Sequence, residues 1–189
     1  MFASRLSVVL LCLALSGSLL GVLAGCAGQT RVKSDLHIKG APDWVNRGTG
    51  ALKDRKGRLF HGVGSAPPMG DRSLQTETAD NRARAALARA LSAYLEVASS
   101  DYSAAGGGAL DASVSRRIET VSRINLAGSR VIGRWRDKRS DVIYSLVEMD
   151  LKQAREILLK IEGMDAGLRA YLAREGENVF DKMAEGDRP

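Results

Sequence analysis

The sequence predicts an α+β fold, in which a small antiparallel sheet of about three to four strands packs against an alanine-rich helix and precedes a C-terminal helical extension. Three observations support this prediction. Residues 74–99 carry small and apolar side chains at spacings of three and four, as one face of a helix does. Residues 59–65 and 142–150 are short apolar runs that are typical of strands. Helical spacing returns from residue 151.

The N-terminus has the three parts of a secretory signal, which is removed from a mature chain. Arg5 supplies the positive start, residues 6–20 are almost wholly apolar, and residues 23–26 close the segment. The alternative is a membrane-spanning anchor, but residues 6–23 barely reach the about 20 apolar residues that a span needs, and serines and glycines dilute them. We therefore expect residues 1–25 to be a signal peptide.

The segment Leu-Ala-Gly-Cys at residues 23–26 resembles the lipobox of bacterial lipoproteins. The resemblance implies cleavage between Gly25 and Cys26, and then a diacylglycerol on the Cys26 thiol and an N-acyl chain such as palmitate on its amine. Each buried CH₂ contributes about 0.8 kcal/mol, so several acyl chains hold a protein stably. The alternative is ordinary signal cleavage beside a chance cysteine. Because Cys12 lies in the signal, we expect no disulfide within the mature chain.

Residues 26–41 show no apolar periodicity and predict a flexible tether. The folded domain is expected over residues 42–162, beginning at the segment Pro-Asp-Trp-Val. Residues 49–58 are polar and contain glycine, which predicts a loop. The strand at residues 59–65 follows, and the next five residues, with two prolines and a glycine, end it.

The clearest helix covers residues 74–99. Its small and apolar side chains fall on one face: Ala79, Ala83, Ala86, Leu87, Ala90, Leu91, Tyr94 and Leu95. Ser73 is a candidate cap, while Glu77 and Asp80 suit the positive end of the helix dipole. Alanine lets a helix axis approach its partner closely, so we expect this helix to lie on the sheet. Three glycines at residues 106–108 end the unit.

A strand hairpin is expected further along the chain. Residues 111–121 fit a helix or a strand, and we favour a short helix with a strand from about residue 123 onward. Two sets of side chains are then expected on opposite faces of the strand. One set is Val131, Gly133 and Trp135, and the other is Ile132, Arg134 and Arg136. Residues 137–141 form a polar turn, and residues 142–150 form a second strand that is apolar enough to be central. The two strands should pair as an antiparallel hairpin.

The densest basic cluster falls on this hairpin. Its members are Arg130, Arg134, Arg136, Lys138 and Arg139. Arg134 and Arg136 should share a face near the turn, with Trp135 in the core on the other face. The functional interpretation is a site for anionic lipid or cell-wall polymer. The alternative is a solvated hairpin tip.

The C-terminal region has a short seam of apolar residues at helical spacing. These are Ala154, Ile157, Ile161, Met164, Leu168 and Tyr171. Three glycines weaken the helix, each costing about 1 kcal/mol against alanine: Gly163, Gly167 and Gly176. Packing back on the sheet is favoured for residues 151–161. For residues 164–183 self-packing and pairing with another subunit both stay open, and residues 163–189 are described as a C-terminal helical tail.

Few side chains suggest chemistry. His37 lies in the tether and His61 in a strand, and two distant histidines without a free cysteine make a weak metal site. Glu148 and Asp150 share one face of a strand, where they more readily cap the following helix or face solvent than form an acid–base pair. We therefore predict no enzymatic activity, no catalytic or metal-binding residues, and no cofactor beyond the acyl chains on Cys26.

The charge of the chain is mildly basic, with 28 Lys and Arg against 22 Asp and Glu. A secreted lipoprotein meets acidic partners in lipid phosphates and in cell-wall carboxylates, so nucleic acid is not expected. A small excess of this kind is also found on ordinary soluble surfaces.

Several segments follow the lipobox in order: residues 42–45, residues 60–66, the alanine-rich helix, residues 126–129, Trp135 and residues 143–149. Together they resemble the Lpp-twenty family of bacterial lipoproteins, which includes the flagellar lipoprotein FlgP. The resemblance covers about residues 42–162 and implies an outer-membrane lipoprotein with a small α+β domain and no catalytic residues. Some members build rings around the flagellar motor, but the C-terminal stretch here is outside the common pattern.

These observations predict a lipoprotein of the cell outer membrane that faces the periplasm. By resemblance to lipoprotein sorting, Ala27 after the cysteine, in place of an aspartate, permits export to that membrane. The expected role is structural, by self-association or by docking on an envelope partner, with flagellar or other envelope assembly as the specific hypothesis. The alternative is a lipoprotein that binds peptidoglycan or anionic lipid.

Overall fold

Four antiparallel strands form the centre of the domain. A computed structural model describes residues 38–54, 57–106 and 128–186. The strands are β1 (Gly50–Asp54), β2 (Gly57–Ala66), β3 (Arg130–Arg136) and β4 (Ile143–Asp150), and their order in the sheet is β1-β2-β4-β3. The helices are α1 (Asp43–Arg47), α2 (Arg72–Ala104), α3 (Leu151–Leu158) and α4 (Ala166–Gly186). The predicted α+β fold class is confirmed.

The first strand is a correction to the sequence analysis. The loop predicted at residues 49–58 is wrong, because β1 pairs antiparallel with β2 along this stretch, with Ala51 opposite Phe60. β1 is an edge strand. Among residues 50–53, whose burial the structure describes, only Ala51 is buried, so the strand lacks the apolar run of a central strand. The predictions that residues 142–150 form a central strand and pair with β3 are confirmed. The helix expected at residues 111–121 lies outside the described residues.

Helix α2 confirms the predicted apolar stripe, since all eight of its members are buried. The helix begins two residues earlier than expected. Its N-cap is Asp71 and not Ser73: the Asp71 carboxylate accepts hydrogen bonds from the backbone N–H of Ser73 at 2.7 Å and of Leu74 at 3.2 Å. The last helical residue is Ala104.

Small residues on both sides bring α2 unusually close to β2. A Cβ added at Gly64 would overlap the backbone nitrogen of Ala83 and lie 2.6 Å from the carbonyl oxygen of Ala79. A Cβ added at Gly62 would lie 2.6 Å from the backbone nitrogen of Leu87. The alanine stripe therefore packs directly on strand backbone, and the expectation that this helix lies on the sheet is confirmed.

The sheet has two different faces. The helical face contacts α2 and carries Phe60, Gly62, Gly64 and Ala66 from β2 and Ile143, Ser145, Val147 and Met149 from β4. The second face carries Leu59, His61 and Val63 from β2 and Tyr144, Leu146 and Glu148 from β4. On this second face, the Trp44 ring of α1 lies 3.7 Å from where a Cβ on Gly133 would stand.

An aromatic cluster on the helical face joins three elements. Phe60 of β2 meets Tyr94 of α2 and Phe180 of α4 edge to face, with ring centroids 5.4 Å and 4.9 Å away. The Tyr94 hydroxyl donates a hydrogen bond to the carbonyl oxygen of Gly176 at 2.9 Å. Burial raises the pKa of Tyr94 to about 12. The cluster ties the C-terminal helix to the centre of the sheet.

The C-terminal region packs back on the domain throughout. A turn containing Gly163, at φ +77°, separates α3 from α4, so the region is two helices and not one seam. The helix α4 places these residues in the main core: Leu168, Leu172, Val179, Phe180 and Ala184. The helical tail predicted at residues 163–189 therefore shares one hydrophobic core with the sheet as far as α4 extends. A side chain at Gly167 would overlap the Tyr102 hydroxyl, and one at Gly176 would lie 2.6 Å from the Tyr94 hydroxyl. These glycines therefore permit close packing.

Candidate functional site

The predicted hairpin is present, and hydrogen bonds close its turn. The backbone N–H of Asp137 donates to the carbonyl oxygen of Val142 at 2.9 Å, and that of Asp141 donates to Asp137 at 2.8 Å. The Asp137 carboxylate accepts from the Ser140 hydroxyl at 2.6 Å and from the Arg139 backbone N–H at 3.0 Å, which lowers its pKa. The turn positions Lys138 and Arg139 as exposed side chains at the tip.

A β-bulge changes which way the first half of β3 faces. Val131 pairs with Val147 and Gly133 pairs with Leu146, which leaves Ile132 as an extra residue. Val131 therefore packs against the core of the helical face, and Arg130, opposite Glu148, lies on the second face. The predicted strict alternation holds only from Gly133 to the end of the strand.

The predicted basic cluster is consequently divided among three places. Arg134 and Arg136 share one face, as predicted. That face is the helical one, where the two arginines meet carboxylates of α2 and of the turn. Arg130 is on the second face, and Lys138 and Arg139 are in the turn. The five cations do not form one surface. Basic residues that are close together in the sequence are therefore not close together on one surface of the folded protein.

Arg134 forms the most constrained ion pair of the hairpin. Its Nε and Nη2 donate to the two Asp80 oxygens at 2.9 Å and 2.6 Å, and the Ser145 hydroxyl donates to Asp80 at 2.7 Å. Burial raises the pKa of Asp80, but the hydrogen bonds from Arg134 and Ser145 outweigh this effect and hold the pKa below its ordinary value. The cluster connects α2, β3 and β4.

The sequence analysis gave Asp80 a role at the helix dipole, and the structure gives it a different one. Asp80 is only 7% exposed. It stands three residues before Ala83 and seven before Leu87, so it belongs to the buried stripe. A carboxylate at such a position needs a cation opposite it, and this was the signal that could have identified the Arg134 pair.

We expect Arg134→Ala to lower the free energy of unfolding by about 2 kcal/mol at neutral pH. Removing the guanidinium leaves a buried carboxylate that keeps the hydrogen bond from the Ser145 hydroxyl and the weaker attraction of Arg84. The effect should stay below that of a fully buried pair, because the Arg134 side chain is 49% exposed. Urea denaturation followed by circular dichroism measures it.

The matched control is Arg136→Ala on the same strand, whose pair with Asp141 is exposed and should add little stability. The pH dependence gives a second check. Since the pKa of Asp80 is lowered in the folded state, the pair stabilises the protein above about pH 4 and its contribution is lost below that. The deficit of Arg134→Ala should therefore shrink in acid. An equal loss of stability in both variants would contradict the assignment.

The second face carries a smaller polar cluster around Glu148. Its carboxylate lies 3.0 Å from Nε2 of His61 and 3.5 Å from Nη2 of Arg130. Glu148 is buried, so the expectation that it caps a helix or faces solvent is wrong. The expectation for Asp150 is confirmed, because its carboxylate accepts from the Gln153 backbone N–H at 2.8 Å and caps α3.

Trp135 is the other correction on this face. It was expected in the core, but it lies half-buried against Tyr144, with ring centroids 5.5 Å apart. The sequence analysis placed the Trp135 side of β3 in the core and the arginine side away from it. In the structure α2 instead receives the arginine side, because Asp80 accepts Arg134 there.

Across residues 38–54, 57–106 and 128–186, no three His, Cys, Asp or Glu side chains are grouped to hold a metal ion. In the same ranges no helix has the length and apolarity of a membrane crossing. Gly25, Cys26 and His37 lie outside these ranges. An open cavity of about 360 Å³ lies beside α4, lined by Asp101, Tyr171, Glu175, Asn178, Asp181 and Lys182, among others.

The chain matches no family model, and no curated protein matches it. The resemblance to the Lpp-twenty family therefore stays a prediction.

Proposed function

We propose that this chain is a lipoprotein of the outer membrane, anchored by acyl chains on Cys26 and facing the periplasm. The observation that carries the proposal is the segment Leu-Ala-Gly-Cys at residues 23–26, directly after an apolar signal-like stretch. The folded domain begins close behind it, with α1 at Asp43–Arg47. The order of signal, lipidated cysteine, short tether and domain is what a membrane-anchored periplasmic protein requires.

We propose further that the domain has a structural or interaction role and is not an enzyme. Its ionisable side chains support this, because the ones at contacts between elements hold the fold together. Asp181 of α4 binds Lys53 at 2.7 Å and Arg58 at 2.7 Å, which holds the pKa of Asp181 well below its usual range. Asp80 is bound in the same manner by Arg134. Carboxylates with lowered pKa and bound cations suit stable surfaces better than proton transfer.

The anchor is tested by Cys26→Ala in the full chain. We expect the variant to lose its acyl chains and to leave the membrane fraction, because only the acyl chains insert into the bilayer with high affinity. Fractionation with immunoblotting and intact-mass measurement read out the two effects.

The matched control is Cys12→Ala, which lies inside the signal peptide and should leave both anchoring and mass unchanged. Retention of Cys26→Ala in membranes after a high-salt wash would contradict the lipoprotein proposal.

The interaction role predicts association of the acylated protein with itself or with an envelope partner. Light scattering of the protein in detergent measures self-association. Deletion of the gene, scored for motility and envelope integrity, tests the flagellar or envelope-assembly hypothesis.

A strictly monomeric protein that sediments with peptidoglycan would instead favour the alternative, binding of an anionic envelope ligand. The exposed Lys138 and Arg139 favour that alternative, and neutralising them, with Arg134 left intact to preserve the fold, is its proper test.

A further inference from the structure

One end of the domain combines loops from three elements. We call it the hairpin end: the loop at residues 67–71 after β2, the first turn of α2, and the hairpin turn at residues 137–142. The Gln75 side chain joins the three, because its Nε2 donates to the carbonyl oxygen of Ala66 at 3.1 Å and to that of Asp141 at 2.8 Å. Gln75 is itself buried, so the three loops are held as one surface.

Exposed apolar side chains concentrate at this end. Within the described residues, the large hydrophobic side chains that are exposed are Met69 at 43%, Leu74 at 49% and Ile132 at 45%. Met69 and Leu74 belong to the hairpin end, and Ile132 is the bulge residue of β3. A single exposed apolar residue is ordinary on a protein surface. Met69 in the loop after β2 and Leu74 in the adjoining first turn of α2 together form a local apolar prominence.

The same end carries cations that point to solvent. Arg72, Lys138 and Arg139 are all exposed. The neighbouring carboxylates are engaged within the protein: Asp71 caps α2, Asp137 accepts hydrogen bonds inside the turn, and Asp141 pairs with Arg136. The hairpin end itself has three cations and three carboxylates. Arg136, beside the turn, adds a fourth cation that Asp141 engages, and the side chains of Arg72, Lys138 and Arg139 are exposed to solvent.

We propose that the hairpin end docks on a bilayer surface that contains anionic headgroups. Met69 and Leu74 would enter the interfacial region, and Arg72, Lys138 and Arg139 would contact lipid phosphates. Basic side chains around a small apolar prominence are what an anionic membrane surface attracts. A polar glycan would gain little from the two apolar side chains, which is why the lipid surface is favoured over cell-wall polymer.

The proposal rests on the anchor at Cys26. The 12 Cα-to-Cα steps from Cys26 to Ile38 span at most about 43 Å when fully extended, so the domain stays close to the surface that holds the acyl chains. Confinement of this kind raises the effective concentration of a weak contact.

The experiment uses the mature acylated protein reconstituted in vesicles. With Cys12 removed and the Cys26 sulfur acylated, Met69→Cys introduces the one free thiol, which is labelled with an environment-sensitive fluorophore. We expect a blue-shifted emission, quenched by a lipid-borne quencher, in equimolar phosphatidylcholine and phosphatidylglycerol. In phosphatidylcholine alone we expect a solvent-like emission. Leu74→Cys should behave like Met69→Cys, and the matched control Ile132→Cys, of equal exposure, should stay solvent-like in both vesicles.

A charge variant tests the phosphate contacts. Lys138→Gln with Arg139→Gln should lower the ratio of docked to undocked label by roughly fivefold for each cation removed. Emission at residue 69 that equals that at residue 132, or that is the same in both vesicles, would overturn the docking proposal. Failure of the anchor proposal is distinguishable, because an unacylated chain would lack the lipid mass and would not float with either vesicle.

Discussion

Replacing Gly64 by alanine is expected to prevent the domain from folding stably. The added methyl would overlap the backbone nitrogen of Ala83 and lie 2.6 Å from the carbonyl oxygen of Ala79. Backbone atoms of a long helix cannot move aside singly, so α2 as a whole would have to lift from the sheet. We expect a loss of at least about 4 kcal/mol, a large part of the about 5–15 kcal/mol that stabilises a domain. Thermal and urea denaturation measure it.

The matched control is Gly133→Ala in the same sheet. There the added methyl would stand 3.7 Å from the Trp44 ring, which is ordinary van der Waals contact. The change in stability should stay within about 1 kcal/mol, since alanine also restricts the unfolded chain. A Gly64→Ala variant with the melting midpoint of the unmodified protein would show that α2 does not sit on β2 as described.

The close packing of α2 on β2 shows what the spacing of small residues in a sequence can and cannot predict. The spacing of small residues predicted the buried stripe from Ala79 to Leu95 and the close approach to a sheet, and both are confirmed. Gly62 and Gly64 are two residues apart on β2 and lie on the same face of the strand. This pattern of small residues complements the small residues of the helix. Periodicity alone does not say which two surfaces meet, so the pair could not be assigned without the fold.

The orientation of β3 was harder to predict for two physical reasons. Alternation separates two sets of side chains but does not say which set faces the helix when both faces of a sheet are covered. Here a buried Asp80 reverses the usual choice by accepting Arg134. The bulge at Ile132 then moves Arg130 to the opposite face, and a one-residue insertion of this kind leaves no mark in a simple apolar pattern.

The candidate site was predicted in part. The hairpin and the exposed tip cations Lys138 and Arg139 followed from local sequence. Arg134 pairs with Asp80, which lies far away along the chain, whereas Arg136 pairs with Asp141 in the neighbouring turn. A short stretch of sequence does not reveal a partner as distant as Asp80. The hairpin end likewise depends on Gln75, which contacts both β2 and the turn and gave no local signal.

Replacing Phe180 by alanine should lower the free energy of unfolding of the whole domain by about 3–5 kcal/mol. Phe180 is fully buried and meets the Phe60 ring edge to face at 4.9 Å. Its removal leaves a cavity between α4 and β2 and also weakens the aromatic cluster that includes Tyr94. The measurement is urea denaturation followed both by circular dichroism and by tryptophan fluorescence, since Trp44 and Trp135 lie on the opposite face of the sheet.

The control on the same helix is Tyr171→Ala. Tyr171 is partly exposed and contacts Tyr102 with ring centroids 5.7 Å apart, so about 1 kcal/mol is expected. If α4 belongs to the core, Phe180→Ala must shift both probes together, because helix and sheet then unfold in one transition. A variant in which helical signal is lost early while tryptophan fluorescence keeps its original midpoint would show α4 to be a separable tail. The burial of Leu172 and Val179 beside Phe180 argues for a single transition.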